Sequence, residues 1–199
     1  MPKRNAIKTY SNNSYYHVYA RSSSAIFNEA TKAIFLNIIK TLLSPEISKD
    51  KLGRPYPNFH GQIELLTFAI MPNHFHLLIY QVDKDNLEKF MRSLMTRFVA
   101  QYNHRHNLKG SLFQSRYLAK LIDNDAHLYH ISRYIHLNPT NWQTGRDSSL
   151  SYYSGQKHAN WINPRRILDL FPTYDAYLKF LNDYDPKADQ QFSDIEPND

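Results

Sequence analysis

Four stretches rich in aromatic and β-branched residues, and three with apolar side chains at helical spacing, follow one another in the order β-α-β-β-α-β-α and predict an α+β fold. That order is the split βαβ pattern of a ferredoxin-like βαββαβ antiparallel sheet with an added C-terminal helix. The 199 residues are 42% hydrophobic, with 15 Tyr, 11 Phe and no Cys, which suits one packed domain held together without disulfides.

Each element has its own signal. Tyr15 to Arg21, YYHVYAR, is aromatic and β-branched and reads as the first strand. In NEATKAIFLNIIKTLL, Ile34, Ile38 and Leu42 recur one turn apart beside Phe35 and Ile39, and Asn28 is placed as the N-cap. Residues 44–60 contain three prolines and a glycine and read as a long loop. IELLTFAI (63–70) and HFHLLIYQ (74–81) flank the turn Met71-Pro72-Asn73, so they form an antiparallel hairpin. Asn86 to His106 is helical, with Leu87, Phe90, Leu94, Phe98 and Tyr102 as its apolar stripe. Lys109-Gly110 ends that helix, and SLFQSRYLAKLI (111–122) reads as the fourth strand. A last helix runs from Asp125 to about Asn138, where Pro139 stops it. Residues 141–164 are loop-like, 165–184 hold one or two short helices, and the tail from Asp185 reads as disordered.

Charge narrows the choice of partner. The formal net charge is +6, but the residues from Asp183 onward carry six acids against one lysine, leaving +11 on the preceding body. A basic body with a short acidic tail suits a polyanion such as nucleic acid. No apolar run reaches the ~18 residues a membrane span needs, and the first residues lack a signal-peptide core, so a cytoplasmic protein is expected. The absence of cysteine excludes thiolate metal sites and cysteine nucleophiles.

The stretch MPNHFHLLIY carries the first chemistry. Strand side chains alternate, so His74 and His76 share one face while Phe75 takes the other. Two imidazoles so placed can converge on one metal ion, although hydrogen-bonded histidines on a strand face have the same pattern. They would be an incomplete site, completed by oxygen ligands. In SRYIHLNP, Tyr134 and Asn138 lie one helical turn apart, where a phenol and an amide carbonyl could serve as nucleophile and third ligand. His130, one turn before Tyr134, could orient it, replace a ligand or merely cap that face.

MPNHFHLLIY, GSLFQSRYLAKLI and RYIHLNP, in that order and spacing, resemble the IS200/IS605-type single-tyrosine HUH transposases, and most closely their REP-associated tyrosine transposase branch. The resemblance covers roughly residues 12–140. It implies that His74, His76 and Asn138 hold Mg²⁺ or Mn²⁺ and that Tyr134 is the nucleophile. It further implies cleavage of single-stranded DNA beside a hairpin through a 5′-phosphotyrosine, followed by rejoining. Residues 1–141 would then be the catalytic domain, 142–184 a helical extension and 185–199 an acidic tail. The resemblance implies a monomer or a homodimer, since the insertion-sequence branch can work as dimers and the REP-associated branch as monomers. Where REP-associated relatives commonly continue with V-R-A, this chain reads Thr140-Asn141-Trp142, so its helix exit is expected to differ.

Arg92, Arg97 and Arg105 on the middle helix, and Arg116 and Lys120 on the fourth strand, are candidate phosphate contacts. Tyr15, Tyr16 and Tyr117 are candidates to stack unpaired bases, and Lys3, Arg4 and Lys8 to track a backbone. Two other readings use the same residues. A domesticated hairpin-DNA-binding protein would keep the fold without cutting. A metal-dependent hydrolase would use His74 and His76 with water, giving Tyr134 no role.

Overall fold

The computed structural model describes residues 9–185. The basic segment with Lys3, Arg4 and Lys8, and the acidic tail from residue 186 onward, lie outside them. Four strands, β1 (Ser14–Arg21), β2 (Ile63–Ile70), β3 (His74–Gln81) and β4 (Leu118–Ile122), form one antiparallel sheet in the order β2-β3-β1-β4. Helices α1 (Glu29–Leu43) and α2 (Asn86–His106) are the two crossovers, and α3 (Asp125–Leu137) follows β4. This is the expected βαββαβ arrangement with its added helix.

Strand alternation divides the core in two. Phe75, Leu77 and Ile79 of β3 pack with Phe35, Phe90 and Phe98 beneath α1 and α2. On the opposite face Leu78 joins Ile131 and Ile135 of α3. The helices therefore sandwich the sheet, and His74 and His76 lie on the α3 side with Leu78. β2 departs from alternation because a bulge falls between Leu65 and Thr67. Leu65 and Phe68, three apart, both belong to the α1–α2 core, whereas Leu66 and Ala69 belong to the α3 core.

Asn28 caps α1 as expected. Its Oδ1 accepts from Thr31 N at 3.0 Å, and Thr31 Oγ1 accepts from Asn28 N at 2.8 Å. Asn28→Ala removes the side-chain acceptor and is expected to lower stability by about 1 kcal/mol, measured by urea unfolding.

Two expectations need correction. The fourth strand begins at Leu118, whereas residues 111–117 run as a loop with one isolated bridge, Ser22 to Phe113. Phe113 and Tyr117 are four apart and both enter the α1–α2 core, a spacing that strand alternation does not allow. Ser111 Oγ and Ser115 Oγ donate to nearby backbone carbonyls, a local arrangement that competes with a strand ladder. Residues 141–164 are also more ordered than a plain loop, containing a 3₁₀ turn (Trp142–Thr144) and the short helix α4 (Leu150–Tyr153). This segment covers the outer edge of β2 through Ile70 N to Asp147 O, Ser149 N to Phe68 O and Asn163 N to Leu65 O. Helices α5 (Arg165–Leu168) and α6 (Tyr174–Asn182) then complete the α3 core with Ile167, Tyr177 and Leu181.

Candidate active site

The site begins with the hairpin. Asn73 precedes β3, and its Oδ1 lies 2.7 Å from His74 Nδ1. An amide oxygen only accepts, so Nδ1 carries a proton, and in the neutral form of the ring Nε2 then carries the lone pair. That Nε2 faces Asn138 Oδ1 at 3.2 Å. Asn138 is the C-cap of α3, one turn beyond Tyr134, and its backbone N–H donates to Tyr134 O at 3.0 Å. The helix end thus delivers both side chains to the face of the sheet that bears the histidines.

His76 is 1% exposed. Its Nδ1 is 3.0 Å from Nε2 of His17, a residue of β1 that is itself fully buried. His76 Nε2 is buried with no hydrogen-bond partner among the described residues. Burial, followed by the nearby His17, His74 and Arg21, holds the His76 pKa well below the ordinary imidazole value, so the ring is neutral at physiological pH. Tyr134 stands edge-on to both buried imidazoles, with ring centroids 5.4 Å from His76 and 5.9 Å from His17, and its hydroxyl is shielded from solvent.

The donor set suits a divalent cation. His76 presents a buried nitrogen without a partner, and His74 Nε2 and Asn138 Oδ1 lie 3.2 Å apart beside it. Ligands bound at about 2.1 Å and at right angles lie about 3 Å apart, close to the separation of these two atoms. Among the described residues no three His, Asp or Glu side chains form a metal-holding group. A cation here would therefore use two imidazoles and the Asn138 carbonyl, with its other positions left to water or substrate.

The remaining predicted residues fall in different places. Lys120 lies opposite His17 in the β1–β4 register, on the same sheet face as the site. Arg116 is exposed in the loop before β4. Arg92, Arg97 and Arg105 belong to α2, whose apolar side packs on the opposite sheet face. Arg97 is stacked 4.0 Å over Tyr56 of the long loop, and partial burial lowers its pKa. His130 turns toward α6, with Nδ1 2.8 Å from Arg133 and its ring 5.5 Å from Phe180. Tyr16 and Tyr117 are core residues and offer no open ring face for a base, whereas Tyr15 is half-buried against Tyr80. Sequence reading missed His17, Asn73 and Arg21. The signal for His17 was a polar residue at the centre of a strand. Arg21 lies opposite His74 in the β1–β3 register, which no single segment reveals.

Residues 59–138 match the family model described as Transposase IS200 like. The matched segment, less than half of the chain, is similar to the IS200-like transposases. It contains His74, His76, Tyr134 and Asn138, and it begins after β1 and therefore excludes His17. Among solved structures the chain is similar to one described as a REP-associated tyrosine transposase bound to a REP hairpin. The two share 15% identity over 80% of this chain and 92% of that one, with a TM-score of 0.54, which is a likeness of fold. A transposase candidate from Deinococcus radiodurans R1 is 16% identical over 68% of this chain and 95% of its own, but its TM-score of 0.38 is too low to define a shared fold. No curated protein sequence matches significantly. No helix among the described residues is long and apolar enough to cross a membrane.

Proposed function

We propose that this IS200-like chain is a metal-dependent single-stranded DNA transposase that cleaves beside hairpin DNA through a 5′-phosphotyrosine and then rejoins strands. One juxtaposition carries the reading. The helix turn that brings Asn138 Oδ1 to 3.2 Å from His74 Nε2 also places the Tyr134 ring edge-on to His76 at 5.4 Å. The hairpin held by the structurally similar REP-associated protein suggests the kind of DNA.

In this reading Tyr134 Oη attacks the phosphorus of a DNA phosphodiester. The bond from phosphorus to the 3′ oxygen breaks and a phosphotyrosine ester forms. The phenolic proton is released, and the leaving oxygen takes up a proton to become a 3′-OH. The ester conserves the bond for a later attack by a 3′-OH, which re-forms the phosphodiester and frees Tyr134. A phenol with a pKa near ~10 is a weak nucleophile at neutral pH, so the phosphate must be activated. His74, His76 and Asn138 would hold Mg²⁺ or Mn²⁺, which when bound supplies Lewis-acid polarisation of the phosphate oxygens. Asn73 and His17 fix the rings of the two histidines, and α3 fixes the approach of Tyr134. Lys120, on the same sheet face, and the exposed Arg21 and Arg116 supply positive charge for the backbone.

The test is a denaturing gel of the full chain with single-stranded hairpin DNA taken from the flanks of its gene. A retarded band that survives SDS, requires Mn²⁺ or Mg²⁺ and disappears with EDTA or in His76→Ala is expected. Hairpin binding without an adduct under these conditions would favour the non-cutting DNA-binding protein. Cleavage without an adduct would make water the nucleophile and overturn the proposal.

A further inference from the structure

His17, the buried partner of His76, lies outside the family segment and takes no part in the bond-making steps above. We infer that His17 is a positioning residue that fixes the tautomer of His76, holding its proton on Nδ1 so that the Nε2 lone pair is presented to the site. The inference deepens the proposed function and rests on its assignment of His76 as a cation-holding residue.

The register explains how the contact arises. Tyr19 lies opposite His76 and His17 opposite Leu78, so His17 and His76 are diagonal neighbours on one face of the β1–β3 ladder. Their rings are offset and nearly parallel, with centroids 5.2 Å apart and an interplanar angle of 26°. A 3.0 Å contact between two buried ring nitrogens needs one proton between them. If His17 Nε2 donated that proton, neutral His76 would carry its own on Nε2. A buried N–H would then face the site with no acceptor among the described residues and could not bind a cation. If His76 Nδ1 donates instead, Nε2 is a bare lone pair, which is the form that binds a cation.

His74 supports the second assignment. Asn73 Oδ1 holds His74 Nδ1–H at 2.7 Å and leaves Nε2 facing Asn138. Both imidazoles are then anchored at Nδ1 and directed through Nε2, one by a turn residue and the other by the neighbouring strand. Partners of this type set ring orientation and ligand basicity, and their loss typically weakens metal binding by about 10–100-fold.

Two measurements test the assignment. In ¹⁵N NMR spectra of the metal-free full chain, the two-bond couplings of His76 should report a proton on Nδ1; a proton on Nε2 would overturn the inference without any variant. In Mn²⁺ titrations followed by EPR, with thermal unfolding as the check on folding, His17→Phe should bind about tenfold or more weakly. His17→Gln, whose amide oxygen can occupy the place of Nε2, should restore most of the affinity. Unchanged binding by a folded His17→Phe, or equal weakening in both variants, would reduce His17 to a packing residue. If wild type takes up no Mn²⁺, the cation-holding part of the proposed function falls, and the NMR tautomer alone decides the role of His17.

Discussion

Tyr134→Phe is expected to abolish the covalent DNA adduct, lowering its formation by about 10⁴-fold or more, while leaving hairpin binding and thermal stability close to wild type. The substitution removes one oxygen and keeps the ring that packs edge-on against His76 and His17. In the proposed mechanism the hydroxyl is the attacking atom, so its loss would remove a reactant rather than a supporting interaction. Tyr129 is a poor substitute, since its ring lies 6.1 Å from Phe171 and 5.3 Å from Phe180, in the packing between α3 and α6. A gel with matched amounts of both proteins, read beside a native gel shift, separates the outcomes. Adduct persisting in the variant would move the nucleophile elsewhere, and cleavage without adduct would indicate hydrolysis by water.

The residues of this site were legible because they obey local periodicities. The two-residue repeat of a strand puts His74 and His76 together, and one turn of helix puts Asn138 beside Tyr134. Between them lie only the crossover helix α2 and strand β4, so the fold joins the motifs. His17 was opaque for the converse reason. Its partner is 59 positions away, and only the β1–β3 register brings the two rings together. The arginines of α2 depend on a different kind of information. Right-handed crossovers put α1 and α2 on one side of the sheet, and the apolar face of β3, with Phe75, Leu77 and Ile79, turns toward them. Handedness together with alternation could therefore have separated Arg92, Arg97 and Arg105 from the histidine face. Residues 147–163 carry little periodic signal because their task is to satisfy the edge of β2, and backbone groups do that with almost any sequence.

The stability of the helix that carries Tyr134 should depend on pH through His136, two positions further along. His136 is fully buried, and burial lowers its pKa from 6.5 to about 3. Its Nδ1 lies 2.7 Å from the Tyr177 hydroxyl and its Nε2 2.8 Å from Ser149 Oγ. One proton arrangement satisfies this whole network. His136 Nδ1–H donates to Tyr177, Tyr177 donates to Ser132 Oγ at 3.2 Å, and Ser132 donates to Tyr129 O at 2.7 Å. On the other side Ser149 accepts from Phe68 N at 3.0 Å and donates to His136 Nε2. A neutral imidazole thus ties α3 to β2 and α6, and a second proton would leave Nε2–H and the Ser149 hydroxyl both donating. Below pH 6.5 the unfolded chain binds a proton at this histidine that the folded chain refuses until about pH 3, so the contribution is intact above 6.5 and is lost progressively on acidification. His136→Gln, which keeps part of the bonding but does not titrate, is expected to be less stable than wild type by about 2–3 kcal/mol at pH 7. That gap should narrow by about 2 kcal/mol at pH 5, because only the wild type loses stability at this position. Urea unfolding of both proteins at the two pH values, with EDTA present so that no cation binds, measures the difference. A gap that stays constant would mean that His136 does not remain neutral in the fold, and the proton arrangement linking α3 to its neighbours would have to be redrawn.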